Sequence, residues 1–241
     1  MRTKGKALLL TACAAAIAIG SALGTMAYLT DHDAATNTFT VGNVSLKLDE
    51  AEVKTDGSYK TDHESRVQRN TYHLLPGHTY YKDPTVTVNA DSADAYVRMI
   101  VKVEDMDKLM AAIPNEGATA KYYAADGTFL LQELCVDKAG VCTWKPDIWK
   151  YEKYSCETDS ETGIKTGIYE FRFKDVVLQS SNPTVLNDLF THITVPGEIN
   201  NTQLANLKDV KIVVNAHAIQ ADGFRTDDAA WAAFDSQNDE Q

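Results

Sequence analysis

The histidines and acidic residues of this chain are the side chains that could hold a metal ion or activate a water molecule. A zinc-peptidase helix needs two histidines one turn apart with a glutamate directly after the first. Both imidazoles then face the ion, and the carboxylate activates its water. The nearest match starts at His63 and Glu64, but the second histidine position holds Val67. The sequence therefore lacks this zinc-peptidase motif.

The other histidines also lack a catalytic or metal-binding arrangement. His73 and His78 are separated by a Pro-Gly pair, which would break a helix holding both. The Asp-His-Asp segment at 31–33 is typical of a solvated leader, and His217 is more typical of a structural or surface position than of a base. We predict no catalytic, cofactor-binding or metal-binding residue.

The segment 159–163 (Asp-Ser-Glu-Thr-Gly) resembles part of a calcium loop. It lacks the twelve-residue ligand spacing and the terminal glutamate of such loops, so it predicts a polar turn. The chain also has no G-x-S-x-G elbow, no phosphate-binding glycine loop and no G-x-G-x-x-G fingerprint. Hydrolase, kinase and dehydrogenase functions therefore have no support from motifs.

The chain contains four cysteines, of which Cys13 would leave with an export signal. In an oxidising compartment Cys135 and Cys142 form a candidate disulfide, because they flank a predicted loop that could bring them together. Cys156 would then be left over, although it could instead pair with either of them, bond to another chain or stay a free thiol. The CxxC spacing that indicates zinc or redox sites is absent.

Residues 1–29 have the pattern of an export signal. Basic residues at positions 2, 4 and 6 precede an uncharged run over 7–29. Small residues near the end of this run fit a signal-peptidase site between Ala27 and Tyr28. We therefore predict a signal peptide over 1–27, secretion, and a mature chain that starts at Tyr28 and keeps no stable membrane anchor.

Two other interpretations of the uncharged run compete with cleavage. The run is long enough to span a bilayer, but small residues dominate it and no basic cluster follows. Residues 10–13 (Leu-Thr-Ala-Cys) resemble a lipidation site at Cys13. The apolar stretch before this cysteine is, however, shorter than the usual core of a signal peptide.

The charge of the mature chain limits its partners. The whole chain has 23 basic and 34 acidic residues and a net charge of −11; a cut after Ala27 removes three basic residues and no acidic one, which makes the charge −14. This charge argues against nucleic acid or an anionic membrane as a partner.

The hydrophobic content of the chain, 44%, is enough to build a hydrophobic core. We expect one domain over 44–234 and a disordered tail at 235–241.

Alternation of apolar and polar residues predicts most of the secondary structure. A phase slip at Gly42 predicts a bulge or bend in the first strand. The segment 52–70 is polar and predicts a loop or exposed edge, and 144–154 is aromatic and irregular. We expect one face of the strand 95–104 to lie in the core and the other to be largely exposed to solvent. The predicted strands are 39–48, 86–89, 95–104, 167–177 and 210–218.

Helical patterns are short and few. Helical spacing over 106–113 follows a possible N-cap at Asp105, and 227–234 predicts a closing helix with Trp231 and Phe234 facing inward. We also expect a helical turn over 183–190 and a hairpin over 122–131. Many short strands with small helices between them predict an all-β fold, an antiparallel β-sandwich rather than an α/β fold.

Seven short sequence blocks along the chain form a recognisable set. They are 27–31 (Ala-Tyr-Leu-Thr-Asp), 37–40 (Asn-Thr-Phe-Thr), 42–46 (Gly-Asn-Val-Ser-Leu), 75–77 (Leu-Pro-Gly), 94–98 (Asp-Ala-Tyr-Val-Arg), 195–198 (Val-Pro-Gly-Glu) and 216–221 (Ala-His-Ala-Ile-Gln-Ala). This set resembles the TasA and camelysin family of secreted Gram-positive proteins. The resemblance implies a jelly-roll form of the β-sandwich and cleavage by a dedicated SipW-type signal peptidase. It also implies fibres that grow head to tail as the mature N-terminal segment inserts into the next subunit.

The segment 28–43 is the candidate donor strand. Its apolar residues Tyr28, Leu29, Phe39 and Val41 lie among small polar ones, so the free segment could add to an open sheet edge. Alternatively, the strand that starts at Phe39 pairs only within its own domain.

From the blocks and the donor segment together, we predict that the protein is a structural subunit of extracellular (biofilm) matrix or surface fibres. Its partners would be other copies of itself and other matrix proteins. A camelysin-like metallopeptidase and a non-polymerising surface adhesin are the alternative functions.

Overall fold

The structure is a computed structural model that describes residues 43–60, 65–112, 134–207 and 210–238, together with the backbone of four short strands before them. The hairpin predicted over 122–131 lies outside the described residues. The strands are β1 (Ala22–Gly24), β2 (Met26–Tyr28), β3 (Thr36–Thr38), β4 (Thr40–Val41), β5 (Leu46–Ala51), β6 (Arg66–Val67), β7 (Thr79–Tyr81), β8 (Thr85–Val88), β9 (Ala95–Glu104), β10 (Trp149–Thr158), β11 (Lys165–Phe173), β12 (Thr184–Val185), β13 (His192–Thr194) and β14 (Lys211–Gln220). The described helices are α1 (Met106–Ala112), α2 (Asn201–Asn206) and α3 (Asp227–Asn238).

The largest sheet has the strand order β10-β11-β9-β14-β2, with every neighbouring pair antiparallel. At its centre β9 and β14 pair along their whole length, from Lys211 opposite Glu104 to Gln220 opposite Ala95. The alternation that predicted β9 is confirmed on the core face, because its apolar positions are buried. These positions are Ala95, Val97, Met99, Val101 and Val103.

A second sheet has the order β12-β8-β5-β6, and β7 pairs separately with β13; these pairs are also antiparallel. Leu48 of β5 and Val86 of β8 belong to the same hydrophobic cluster as Met99 and Val214 of the large sheet. Both sheets therefore contribute to one core. The described chain is mostly antiparallel β-sheet with a few short helices, as the sequence predicts.

The helices α1 and α3 lie against the large sheet, whereas α2 packs on α1. In α1 the predicted spacing is confirmed, since Met106 and Leu109 are buried. In α3 Trp231 and Phe234 face inward as predicted, and they pack with Ile219 of β14. The helix continues to Asn238, into the stretch predicted to be a disordered tail.

Three local predictions are wrong. The second face of β9 is not largely exposed to solvent, because Arg98 on this face is only 4% exposed and lies beneath α3. Residues 144–148 are irregular as predicted, but 149–154 belong to the strand β10, which has a register shift between Tyr151 and Lys153. The helical turn expected over 183–190 is absent from that described stretch, since Thr184 and Val185 instead pair with β8.

Candidate functional site

The outer edge of β14 carries strands from the N-terminal part of the chain. β2 pairs antiparallel with β14, with Tyr28 opposite Lys211 and Ala27 opposite Ile212. β4 pairs parallel with the other end of the same strand, with Val41 opposite Ile219. Of the predicted donor residues, Tyr28 and Val41 therefore lie in strands on this edge, whereas Leu29 and Phe39 lie outside the described residues.

The predicted cleavage bond lies inside β2. The three paired positions of β2 are Met26, Ala27 and Tyr28, and a cut after Ala27 would remove the first two. Their partners on β14, Val213 and Ile212, would then lose the backbone groups opposite them. An edge strand with free N–H and C=O groups is a template for an added strand.

The chain changes sheets between β4 and β5. β4 pairs with β14 of the large sheet, whereas β5 pairs with β8 of the second sheet. In the sequence, the phase slip falls between these two strands. The predicted donor segment thus ends where the chain enters the second sheet.

A polar cluster lies buried at the end of β5. The carboxylate of Glu50 is bound on both oxygens: the Lys82 Nζ donates to one at 2.6 Å and the Asn70 Nδ2 donates to the other at 3.0 Å. The side chains of Lys82 and Glu50 are 2% and 1% exposed, and Asn70 is also buried. We name Glu50, Asn70 and Lys82 the buried triad.

A second set of charges lies beside the buried triad. Asp83 accepts a hydrogen bond from the Ala51 backbone N–H at 2.7 Å and pairs with Arg66, which also binds Asp49. The Lys82 backbone N–H donates to the Thr191 carbonyl at 2.9 Å. Strands β5 and β6, which pair through their backbones, are therefore also joined by side-chain contacts to the residues that follow β7.

Burial dominates the electrostatics of the triad. It raises the pKa of Glu50, although the neighbouring Lys82 opposes this shift. Burial, followed by the negative charges of Glu50 and Asp83, also raises the pKa of Tyr72 well above its ordinary value. The site therefore disfavours negative charge, and a proton placed on Glu50 is stabilised there.

The sequence prediction missed the buried triad. Glu50 continues the inward period-two series of Val44, Leu46 and Leu48, so it occupies a core position of the strand. Lys82 follows the buried Tyr80 by two residues in the same way. The sequence does contain a signal for this cluster: Glu50 and Lys82 are charged residues that continue, at every second position, a series of buried apolar residues.

The histidines show no catalytic arrangement among the described residues. His73 and His78 are exposed, while His217 is half-buried and its ring stacks on Phe234. His63 and the segment 31–33 lie outside the described residues. In the part of the chain that the structure describes, no group of three His, Cys, Asp or Glu side chains is placed to hold a metal ion.

The polar turn predicted at 159–163 is confirmed. It joins β10 to β11, and the Asp159 carboxylate accepts hydrogen bonds from the backbone N–H groups of Glu161 and Thr162. These hydrogen bonds lower the pKa of Asp159. The carboxylate therefore stabilises the turn by accepting its backbone hydrogen bonds.

Of the candidate disulfide residues, Cys142 pairs with Val136 in a small antiparallel bridge, and Cys135 directly precedes Val136. Cys135 is buried and Cys142 exposed, and burial raises the pKa of the Cys135 thiol well above its ordinary value. The disulfide stays a prediction.

Comparison with known proteins identifies no relative. No family model, no curated protein and no solved structure matches the chain. Within the described residues, no helix is long and apolar enough to cross a membrane. The resemblance to TasA-like proteins stays a prediction from the sequence blocks.

Proposed function

We propose that the mature chain is a secreted structural subunit of extracellular matrix or surface fibres. Its domain is a β-sandwich of jelly-roll type, and its N-terminal strand joins it to a neighbouring copy. The observation that carries this proposal is the edge of β14, which pairs with β2 and β4 from the N-terminal part of the chain. The sequence predicts a cleavage bond within β2 itself.

Cleavage acts as the switch for assembly. Removing residues 1–27 takes Met26 and Ala27 away from β14 and frees the edge beside Ile212 and Val213. It also gives the segment 28–43 a free end. A segment from one copy can then add to the edge of the next, and each backbone hydrogen bond contributes about 0.5–1.5 kcal/mol. Because donor and acceptor are different surfaces, the contact does not close on itself and the assembly is a filament.

Electron microscopy of three forms of the purified protein tests the proposal. One form starts at Tyr28, one keeps a few extra residues before Tyr28, and one starts at Gly42. We expect filaments from the first form alone, because the second has no liberated end and the third has no donor segment. Filaments from the Gly42 form would overturn strand donation. Chelator-sensitive proteolysis by the Tyr28 form would favour a metallopeptidase instead, and a Tyr28 form that stays monomeric would favour an adhesin.

A further inference from the structure

The buried triad has the composition and geometry for an amide-forming reaction between two side chains. Lys82 supplies a primary amine, Asn70 a carboxamide and Glu50 a carboxyl group. The amine and the amide nitrogen bind the two oxygens of the same carboxylate, at 2.6 and 3.0 Å. One carboxylate thus contacts both the nitrogen that would attack and the nitrogen that would leave, which is the arrangement a proton carrier needs.

The Asn70 amide is held in one orientation. Its Oδ1 accepts a hydrogen bond from the Val53 backbone N–H at 2.9 Å, and its Nδ2 also donates to the Ala51 carbonyl at 2.8 Å. A flipped amide would set donor against donor and acceptor against acceptor. The Val53 N–H points at the oxygen on which negative charge would develop during attack, and a backbone donor there stabilises such an oxyanion.

Burial of the triad disfavours the charged forms of its groups. Glu50 is fully buried and Asn70 is 5% exposed. Tyr72, which is buried beside them, packs edge-on against Tyr80 with ring centroids 5.6 Å apart. A buried ammonium–carboxylate pair carries a desolvation cost. Proton transfer from Lys82 to Glu50 removes both charges and leaves a nucleophilic amine on the carboxyl group that the Asn70 amide nitrogen also contacts.

We propose that Lys82 and Asn70 become joined by an intramolecular amide bond, with Glu50 as the proton carrier. The Lys82 ammonium first gives a proton to Glu50, and the free Nζ attacks the Asn70 Cγ. Glu50 protonates Nδ2, the Cγ–Nδ2 bond breaks and ammonia leaves. The new amide nitrogen gives one further proton back to Glu50. The products are a secondary amide, one ammonia and a neutral Glu50, without any oxidant or added cofactor.

The bond would close the segment 70–82 into a covalent ring at the edge of the core. This segment runs from the loop after β6 through β7, and β7 pairs with β13. A covalent ring restricts the unfolded chain as a disulfide does, and it is not reversed by reducing agents. The inference does not depend on fibre formation and would hold in a monomer.

Mass spectrometry of the purified wild-type protein tests the proposal. Trypsin cuts after Arg69 and Arg98 but not at an acylated Lys82. We therefore expect a peptide covering 70–98 whose mass is lower by one ammonia than its sequence mass. Chymotrypsin, which cuts at Tyr72 and Tyr80, should open the ring and give two chains joined through Lys82. Recovery of Asn70 and Lys82 in separate linear peptides of full mass would overturn the proposal.

The variants K82R and E50Q separate this bond from other losses of ammonia. A succinimide formed at Asn70 alone also loses ammonia, but it would persist in K82R, whereas the proposed bond requires the Lys82 amine. We expect full-mass peptides from both variants. Loss of ammonia that survives in K82R would identify the succinimide and refute the cross-link. Because the wild-type peptide map is decisive by itself, the test does not depend on the variants folding.

Discussion

His217 lies on β14 and faces α3, where its ring stacks on Phe234 with the ring centroids 5.1 Å apart. Its Nδ1 accepts a hydrogen bond from the Arg98 Nε–H at 3.2 Å. Burial, and next the positive charge of Arg98, lower the pKa of His217 from 6.5 to about 3. The histidine is therefore neutral in the folded chain down to acidic pH.

This residue makes the stability of the chain sensitive to acid. The stability that a neutral His217 contributes is complete above pH 6.5 and is lost as the pH falls towards 3, because the unfolded chain binds the proton first. Between about pH 7 and about pH 4 the free energy of unfolding should fall by about 3 kcal/mol through this group. Urea unfolding at the two pH values should show a smaller fall for H217N than for wild type.

The exposed His73 provides the matched control for this prediction. The H73N variant removes an exposed imidazole instead of the one that α3 covers, and measures how the loss of a histidine in itself changes the free energy of unfolding. An identical fall in H217N and wild type would show that the charge state of His217 is not set by the contact with α3.

At the scale of elements, the turn that ends at Gly57 depends on a close approach to β7. Gly57 has φ +78°, and a Cβ there would lie 2.7 Å from the Tyr80 Cα. Gly140 has a similar φ of +75° but no atom within 4 Å of a Cβ position. The two glycines therefore share the same backbone requirement and differ in packing.

Alanine substitutions at these two glycines should separate the two effects. We expect G140A to lower the free energy of unfolding by about 1–2 kcal/mol, which is the cost of a left-handed backbone with a Cβ. G57A should cost about 2 kcal/mol more, because the new methyl group overlaps the backbone of β7. Urea denaturation measures both values. Equal losses in the two variants would contradict the packing of the turn against Tyr80.

Elements with a strong and uninterrupted period were predictable from the sequence. β9 and β14 show clear alternation, and α1 and α3 bury the residues that their helical spacing indicates. Elements that depend on a distant partner were not predictable. The strand β10 hides its pattern behind a register shift, and the two residues of β12 are a strand only because β8 pairs with them.

The candidate sites were likewise predictable only as far as they depend on local sequence patterns. The sequence indicates an N-terminal segment that can act as a strand, but it does not indicate that β14 offers the edge. Nor does it bring Asn70 to Glu50, because Asn70 lies in a polar stretch with no period and the contact is made in three dimensions. A charged residue in or beside a strand is usually taken to face water, so neither Glu50 in β5 nor Lys82 just after β7 was predicted to be buried.

At the scale of the whole molecule, one strand connects the core to the proposed assembly. β14 pairs with β9 on one side, so its inner edge belongs to the most extensive pairing of the large sheet. Its outer edge pairs with β2 and β4. A neighbour that added its N-terminal segment there would be anchored to the core of the domain, and a load along a filament would pass directly into the large sheet.

Photo-crosslinking in an equal mixture of isotope-labelled and unlabelled mature chains tests strand donation most directly. A benzoylphenylalanine placed at position 41 should crosslink to the β14 segment 211–220 under conditions in which the protein assembles. If the N-terminal segment is donated, mass spectrometry should find mixed-label crosslinked peptides as abundant as same-label ones. Crosslinks to 211–220 that join only chains of the same label would show that the segment folds back onto its own domain, and would contradict assembly by strand donation.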